Sequence, residues 1–406
     1  MQANDLTPAA TGPLRGLRII DLSTVIAGPW AATLLADLGA DVLKVEIPGS
    51  GDALRALPPH KDGVPLWWKA ANRNKRGITL DLRRPEGREL LARMLPEVDA
   101  LVENFRPGTL DKWGITREWL HEINPGLVIL RMTGFGQTGP YRDKPGFARV
   151  FEAMTGFTNI CGEADRPPLH LGFPIADAVG GLFGALGILA ALYHRAAGGE
   201  RRGQEIDCSM LEAMFRVLDF LPIEYDQLGV VRQRSGNTSQ YAAPGNVYRS
   251  ADGRWASIAA STQSIFERLC TALGRPDLAA APPFANNPLR VQHRAELDAA
   301  IAAEVGKHTL AELQTLLDRH QVGFSPIYDI ADIFADPHYA ARQAIVTVPD
   351  DELGPVRMQS VVPAFSRTPG AVRHAGPSLG QHNQAVYAAL GLDAARQEAL
   401  RDAGVI

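Results

Sequence analysis

The sequence predicts an α/β fold in two domains, with a doubly wound parallel sheet in the larger one and a smaller α+β domain. Three observations predict it. Strand-like apolar runs alternate with helical patterns between residues 17 and 133, which is typical of a parallel sheet. After Gln227 the sequence becomes polar and rich in turns. The length, 406 residues, exceeds the roughly 250–300 at which one hydrophobic core stops growing.

The domain boundaries follow from these changes in composition. We expect a flexible leader over residues 1–13, the N-terminal part of the large domain over 14–227, and the small domain over 228–325. A C-terminal segment, residues 326–406, then completes the large domain.

The first elements form a βαβ unit. Residues 17–22 are a short apolar strand, residues 29–38 a helix that begins near Gly28 and Pro29, and residues 41–46 a second strand after Gly39. Further strands are predicted at 78–82, 100–103, 127–133 and 204–208, and helices at 85–95, 117–123, 177–196 and from 210. In the remaining third we predict strands at 255–260, 345–349 and 356–362, and helices at 263–273, 295–305, 310–317 and 381–390.

Composition excludes several function classes. Lys+Arg number 41 against 45 Asp+Glu, for a net charge of −4, so no basic excess indicates a nucleic-acid or membrane-surface partner. The three cysteines are odd in number and widely spaced, which favours reduced thiols and a cytoplasmic protein. The ten histidines show no paired ligand spacing, so we expect no metal site.

Two segments could be mistaken for membrane signals. Residues 1–13 are polar and lack an apolar stretch after a charged one, so they do not resemble a signal peptide. The apolar stretch 176–193 is interrupted by Asp177 and by glycines, which favours a buried helix over a membrane span.

The first βαβ unit invites a dinucleotide-binding interpretation, because Glu46 ends its second strand. That interpretation needs a loop of the form G-x-G-x-x-G, in which glycines let the backbone approach a pyrophosphate. Here the turn has one glycine, Gly28, followed by Pro29. The sequence therefore disfavours NAD binding, although this turn can still line a ligand cleft.

Asp177 is the most informative single residue, and two interpretations of it stay open. It can be a helix N-cap that accepts backbone hydrogen bonds. It can also be a nucleophile, since its neighbours are apolar and no lysine or arginine lies close in sequence. Gly180 and Gly181 leave room for a ligand, and Gly180, Gly184 and Gly187 can form a close helix-packing stripe; both interpretations can hold together.

Several segments together resemble the class III CoA-transferases, the family of formyl-CoA transferase and carnitine CoA-transferase. The resemblance extends from about Leu14 to the C-terminus. It rests on residues 21–29 (DLSTVIAGP), 39–46 followed by Gly51 and Asp52, 72–82 (NRNKRGITLDL), 102–108 (VENFRPG), 134–140 (GFGQTGP), 175–192, 203–207 (GQEID), 323–329 (GFSPIYD) and 379–382 (LGQH).

The resemblance implies a fold, an oligomer and a set of site residues. The implied fold is a Rossmann-like sheet plus a smaller domain, and two subunits are expected to interlock as linked rings in a homodimer. The implied substrates are an acyl-CoA and a small carboxylic acid, with coenzyme A as substrate and no permanently bound cofactor. The family's catalytic aspartate corresponds to Asp177. Its CoA-contacting positions correspond to Ile26, Ala27, Asn72, Arg73, Asn74, Lys75, Asn104, Phe105, Arg106, Lys112, Arg149 and Glu152.

The cations among these positions suit phosphate groups, because CoA carries a 3′-phosphate and a pyrophosphate. Arg73, Lys75 and Arg76, with Arg106 and Lys112, could supply such contacts. The alternative is a solvated basic face without a ligand. Backbone N–H groups at the start of the Asp177 helix are candidate donors to an oxyanion. His170 lies near Asp177 in sequence and is either a site residue or a structural one.

Two other functions remain as alternatives to CoA transfer. An α-methylacyl-CoA racemase has the same fold, but that family carries a His-Asp pair where this chain has Phe147 and Ala148, neither of which accepts a proton. A non-catalytic CoA-ester binding protein would not need a buried acid. Formyl-CoA:oxalate transferases have a run of glycines that residues 236–240 (GNTSQ) lack, so we expect a short dicarboxylate such as succinate rather than oxalate.

Overall fold

The computed structural model describes residues 11–198 and 201–406, so residues 1–10 of the predicted leader lie outside the described part. The chain divides into two compact units. The first comprises the chain up to Phe157 together with Leu171–Pro222 and His338–Ile406, and the second comprises Thr158–His170 and Ile223–Pro337. The predicted small domain, residues 228–325, lies inside the second unit.

A six-stranded sheet organises the first unit. Its strands are β1 (Arg18–Asp21), β2 (Asp41–Glu46), β3 (Lys75–Thr79), β4 (Ala100–Glu103), β5 (Val128–Thr133) and β6 (Glu205–Ser209). Every neighbouring pair is parallel and the order is β3-β2-β1-β4-β5-β6. The predicted parallel α/β sheet is confirmed. Chain connections reverse direction between β1 and β4, which is where open α/β sheets bind ligands at the strands' carboxyl ends.

Helices cover both faces of this sheet. In chain order the helices of the protein are α1 (Ala27–Asp37), α2 (Leu66–Ala71), α3 (Pro85–Met94), α4 (Thr109–Lys112), α5 (Arg117–Ile123), α6 (Ala148–Met154), α7 (Phe157–Ile160), α8 (Ile175–Ala197), α9 (Met210–Arg216), α10 (Leu221–Leu228), α11 (Gln263–Ala272), α12 (Pro276–Ala280), α13 (Asn287–Gln292), α14 (Arg294–Val305), α15 (Leu310–Arg319), α16 (Ile330–Ala335), α17 (Pro337–Ala341), α18 (Asn383–Ala389) and α19 (Ala394–Asp402). Short 3₁₀ helices lie at Ala53–Ala56, Leu95–Glu97 and Pro282–Phe284.

Alternate side chains of the strands face two separate hydrophobic cores, as the period of two in a strand requires. Ile20 and Leu43 belong to the core that contains α3, α5 and α18. Ile19 and Val42 belong to the opposite core, with α1, α8 and α9. The sheet is thus buried on both sides, which explains its near-continuous apolar runs.

Helix α8 is long and apolar enough to cross a membrane by length and composition alone, a test that core helices also pass. In the first unit it packs on α1, β5 and α9. Glycines make this packing close: a Cβ at Gly181 would lie 3.1 Å from the Ala27 carbonyl oxygen, and one at Gly184 2.5 Å from the Met132 side chain. Both glycines make room for neighbouring protein, as the packing-stripe interpretation requires of Gly184; at Gly181, where the sequence suggested room for a ligand, α1 fills the space.

Strand β3 begins at Lys75, whereas the sequence pattern predicted a strand over residues 78–82. The pattern failed because the polar half of the strand is buried. The Lys75 ammonium donates to the Asp21 carboxylate at 2.8 Å, so a charged residue occupies an interior strand position. Apolar residues alone therefore place the strand too late in the chain.

The C-terminal segment covers β3, which is an edge strand of the sheet. The Gly77 N–H donates to His382 Nδ1 at 3.0 Å, and the Thr79 N–H donates to Asn383 Oδ1 at 2.8 Å. Burial and the nearby Arg76 guanidinium lower the pKa of His382 to about 4, so the ring is neutral and can accept this hydrogen bond. The Tyr387 hydroxyl also donates to the Thr79 carbonyl.

The second unit has an antiparallel sheet of β7 (Gly245–Arg249), β8 (Trp255–Ala259) and β9 (Gly323–Pro326) in the order β9-β8-β7. Its core includes Phe266, Leu297 and Leu313 from three helices. Residues from 158–170 join this unit through contacts distant in sequence: the Arg234 guanidinium donates to the Asn159 carbonyl at 3.0 Å. A hairpin of β10 (Ile345–Val348) and β11 (Val356–Gln359) belongs to the first unit.

Candidate active site

Asp177 is the third residue of α8, which begins at Ile175 after Pro174. The interpretation of Asp177 as the helix N-cap is wrong: Pro174 holds that position, and no side chain caps the helix. The apolar residues Ile175 and Ala176 start the helix two positions earlier than the sequence indicated. Within residues 11–198 and 201–406, the N–H groups of Ala176 and Asp177 have no protein acceptor, as expected in a first helical turn.

The environment of the Asp177 carboxyl favours its neutral form. Burial, and secondarily the negative charge of Glu152, raise its pKa from 3.8 to about 7. Glu152 is itself buried, on α6. In the described part of the chain no lysine, arginine or histidine forms an ion pair with Asp177. The sequence argument for an unneutralised acid among apolar residues is consistent with this geometry.

Ile26 and Ala27 lie at the start of α1, directly after the turn that follows β1. Both are buried. The sequence indicated that Pro29 is the first residue of this helix, but in the structure it is the third. In the described ranges no protein group accepts a hydrogen bond from the N–H of Ile26 or Ala27. Free N–H groups at a helix start are the usual donors to phosphate.

Residues 72–75 carry their polar groups inward. Lys75 Nζ is fully buried and donates to Asp21, to the Pro29 carbonyl at 2.8 Å and to Asn72 Oδ1 at 2.9 Å. The Arg73 guanidinium pairs with Asp37 at 2.6 Å. The solvated basic face is therefore not present at these two residues. Their charges are bound to the protein, and a CoA contact here would fall to the backbone of the segment.

Asn74 also bonds to Asp37, through its Nδ2 atom at 2.8 Å, and adopts a positive φ of 64°. Asn72 is completely buried, and its Nδ2 atom has no hydrogen-bond partner in the described structure. Such an orphaned donor is costly unless a further group satisfies it.

Residues 104–106 follow β4, next to β1 in the sheet. The Asn104 amide accepts from the Thr24 N–H at 2.7 Å and donates to the Thr24 carbonyl at 2.8 Å. Phe105 packs edge-on against Trp113, with ring centroids 5.3 Å apart. The structure thus brings Asn104 to the turn before Ile26 and Ala27.

The remaining predicted cations are accessible to solvent. Arg106, Lys112 and Arg149 are exposed, and none forms an ion pair with another described residue. They lie after β4, at the end of α4 and in α6, respectively. These three side chains can bind a phosphate without losing an ion pair within the protein, whereas Arg73 and Lys75 would lose theirs.

A buried charge network near the turn was not apparent from the sequence. Lys44 Nζ lies 3.3 Å from Asp52 and 3.9 Å from Asp21, and all three side chains are at most 1% exposed. Burial raises the pKa of Asp21, but the ammonium groups of Lys44 and Lys75 outweigh it and hold the pKa below its ordinary value. Only the Gly51-Asp52 pair in the family pattern marked this segment beforehand.

Two further sequence expectations concern thiols and metals. Burial raises the pKa of Cys208 and of Cys270 to about 11, so both thiols are protonated near neutral pH. No group of three or more metal-ligating side chains was found among the described residues.

Comparison with known proteins shows which family the chain belongs to. The model of CoA-transferase family III matches residues 14–383. Succinyl-CoA–D-citramalate CoA-transferase of Chloroflexus aurantiacus is 46% identical over 92% of this chain and 93% of its own length. The beta subunit of the succinyl-CoA–L-malate CoA-transferase of the same organism is 42% identical over 93% of each chain.

Solved structures show the same architecture. A CAIB/BAIF family protein from Brucella suis, 37% identical, superposes with a TM-score of 0.84 over 94% of this chain and 100% of its own. The protein Rv3272 from Mycobacterium tuberculosis, 26% identical, gives 0.81 over 93% and 99%. The family model covers most of the chain. The two relatives named above are both CoA-transferases, and the match covers 93% of each of them. The chain belongs to CoA-transferase family III and is a class III CoA-transferase.

Proposed function

We propose that this enzyme moves CoA from succinyl-CoA to a short dicarboxylic acid, with Asp177 as the nucleophile. The observation that carries the proposal is the Asp177 carboxyl: it lies in a first helical turn, partly buried and without a cation partner in the described structure. The donor follows from the relatives, whose names pair succinyl-CoA or succinate with citramalate, malate or glutarate. A relative named for acetyl-CoA and oxalate is less similar, at 35% identity.

The transfer must keep the energy of the thioester while exchanging the acid. The Asp177 carboxylate attacks the succinyl thioester carbonyl, forming a mixed anhydride and releasing CoA thiolate. The thiolate then attacks the aspartyl carbonyl, which gives an aspartyl-CoA thioester and frees succinate. The acceptor carboxylate repeats the two exchanges in reverse order, so that Asp177 is regenerated and no bond is lost to water.

The first turn of α8 supports these steps physically. Each tetrahedral intermediate carries an oxyanion, and the N–H groups of Ala176 and Asp177, which have no acceptor in the described structure, would donate to it. Partial burial excludes water from the anhydride. The raised pKa makes the carboxylate basic, and therefore more nucleophilic than an exposed aspartate.

CoA binding is proposed at the carboxyl ends of β1 and β4. The free N–H groups of Ile26 and Ala27 would bind the pyrophosphate, and the backbone of residues 72–75 would line the cleft. The exposed Arg106, Lys112 and Arg149 would bind phosphate through their charges. Coenzyme A is a substrate here, and no permanently bound cofactor is proposed.

The test is transfer from succinyl-CoA to a panel of short carboxylic acids, followed by the mass of the CoA product. We expect products with hydroxydicarboxylates of the malate and citramalate type. The Asp177→Asn variant, checked for folding by circular dichroism, should lose activity by at least about a thousandfold. Incubation of the parent enzyme with succinyl-CoA should give a protein mass increased by CoA, and the variant should not. Transfer retained in folded Asp177→Asn would contradict the proposal.

Phe147 favours transfer over racemisation. It precedes α6, is 78% exposed and has no group that accepts a proton. A 2-methylacyl-CoA incubated in deuterated water should therefore gain no label at carbon 2.

A homodimer, interlocked as the family resemblance implies, is part of the proposal. It is supported by an apolar stripe on α8, where Leu182, Leu186 and Tyr193 are 57%, 59% and 76% exposed. Such a stripe on a helix is costly in water and is typical of an interface. We also propose a cytoplasmic enzyme, on the basis of its thiol-state cysteines, and fractionation of cells producing it tests this.

A further inference from the structure

The turn between β1 and α1, residues Ser23–Ile26, has a backbone that its own sequence does not favour. Val25 has a φ of 64°, in the left-handed region. A β-branched residue adopts this region at a cost, because its side chain collides with its own backbone. Val25 directly precedes Ile26 and Ala27, whose N–H groups are proposed to bind CoA. Something outside the turn must therefore hold Val25 in place.

The side chain of Asp52 is one group that holds Val25 in this conformation. Asp52 lies in the loop after β2, and its side chain is at most 1% exposed. The Val25 N–H donates to Asp52 Oδ1 at 3.0 Å and to Oδ2 at 3.2 Å. The same carboxylate accepts from the Leu54 N–H at 2.9 Å, which fixes its orientation. Lys44 Nζ, 3.3 Å from Asp52, neutralises its charge.

The rest of the turn is restrained by other groups. Lys44 Nζ also donates to the Ser23 carbonyl, and the Asn104 amide binds both polar backbone atoms of Thr24. The restraints come from β2, from the loop after it and from the residue that follows β4, so neighbours of β1 on both sides hold this one turn. Beyond it, the N–H groups of Ile26 and Ala27 are left without acceptors in the described structure.

We propose that Asp52 is a positioning residue for CoA: it holds Val25 in its left-handed conformation and thereby directs the N–H groups of Ile26 and Ala27 toward the ligand. Asp52 does not touch CoA in this scheme, and its effect passes through the backbone of the turn. The inference rests on the proposed CoA site at Ile26 and Ala27. It predicts an effect on thioester affinity that is separate from the chemistry at Asp177.

The test compares CoA binding by calorimetry, and KM and kcat for succinyl-CoA, in four proteins. Asp52→Ala should weaken CoA binding and raise KM by about tenfold or more, with kcat within about threefold of the parent. Asp52→Ala with Val25→Gly should recover most of the affinity, because glycine adopts a positive φ without the steric cost. Asp41→Ala is the matched control. Asp41 is the first residue of β2, the strand that precedes the loop of Asp52, and it pairs with Arg76 at 2.7 Å. The Asp41→Ala variant should leave both constants unchanged.

The rescue separates positioning from a general structural role. A variant that is only less stable would lose active enzyme and hence apparent kcat, and Val25→Gly would not restore KM. Unchanged affinity in folded Asp52→Ala, or failure of the rescue, would overturn the proposal. If Asp52→Ala does not fold, Val25→Pro replaces it: proline fixes a negative φ and lacks the N–H. Binding by Val25→Pro equal to that of the parent would again overturn it.

The outcomes also distinguish this proposal from the proposed function. A parent enzyme that binds no CoA and transfers nothing overturns both. A parent that binds and transfers, together with an unaffected Asp52→Ala, overturns the positioning role alone.

Discussion

Asp177 differs from Asp21 and Asp37 in having no cation partner in the described structure. Asp21 faces Lys75, and Asp37 faces Arg73, in ion pairs of 2.8 and 2.6 Å. The described structure records no such partner for Asp177, and its pKa lies near 7. An acid in this state can exchange between neutral and ionised forms near physiological pH, which suits a nucleophile that must be regenerated in every cycle.

The pH dependence of catalysis is the first prediction. Because the carboxylate is the proposed nucleophile, kcat/KM for succinyl-CoA should rise with pH through about 7, the pKa of Asp177. Glu152→Gln removes the neighbouring negative charge, so the pKa should fall and the rise should move to lower pH. Glu103→Gln is the control. Glu103 is also buried with a pKa raised to about 7, but Asp177 is not among the charges that act on it. A rise that stays in place in Glu152→Gln would contradict this assignment.

The same carboxyl affects folding stability. Its folded pKa, about 7, lies above the ordinary 3.8, so it favours the folded state below 3.8, and this contribution is lost as pH rises through 7. Asp177→Asn should therefore gain stability relative to the parent as pH rises from 3.8 to about 7, by about 1.4 kcal/mol for each pKa unit shifted. Urea unfolding of both proteins at equal concentration measures it. Parallel pH profiles for the two proteins would be the contrary result.

At the scale of elements, the sequence located most strands and the longer helices, such as α8 and α14, but it missed short helices such as α6 and α13. Strands 41–46 and 100–103 were predicted at their observed bounds, because apolar side chains fill both faces of the sheet. Strand β3 was placed too late, since Lys75 is charged and its partner Asp21 lies 54 residues away. No local pattern records a pairing over that separation.

The candidate site shows the same division. Asp177 could be found from sequence because its neighbours are apolar and uncharged. Asp52 and Lys44 could not be assigned a role, because their partners Val25 and Ser23 are brought near only by the parallel sheet. The charges of Arg73 and Lys75 suggested an accessible basic cluster, and the folded unit places them inside. Sequence gives the charge of a residue but not its burial.

The close packing of α8 on α1 yields a prediction at this scale. A Cβ at Gly181 would meet the Ala27 carbonyl and the Ala31 nitrogen at 3.1 and 3.3 Å, and both are backbone atoms of α1 that cannot rotate away. Gly181→Ala should therefore lower the free energy of unfolding by about 1–2 kcal/mol. At Gly187 the contact is the Ile206 side chain at 3.3 Å, so Gly187→Ala should be neutral or stabilising. Denaturant unfolding of the two variants should rank them in this order.

At the scale of the whole molecule, the exposed stripe on α8 is the feature that a single chain does not explain. If a second copy covers it, Leu186→Glu should shift the protein from dimer to monomer in sedimentation or light scattering, because a charge would be buried at the interface. Val362→Glu is the matched control: Val362 is also apolar, is 81% exposed and lies in a loop after β11 rather than on α8. A dimer unaffected by Leu186→Glu would place the interface elsewhere.

The covering of β3 by the C-terminal segment has a consequence for synthesis on the ribosome. The backbone N–H groups of Gly77 and Thr79 are translated about 300 residues before their acceptors, His382 and Asn383. Until those acceptors have been made, the nascent sheet has an open edge, and such an edge can pair with another chain. We therefore expect translation of the segment that contains His382 and Asn383 to protect the newly made sheet against aggregation.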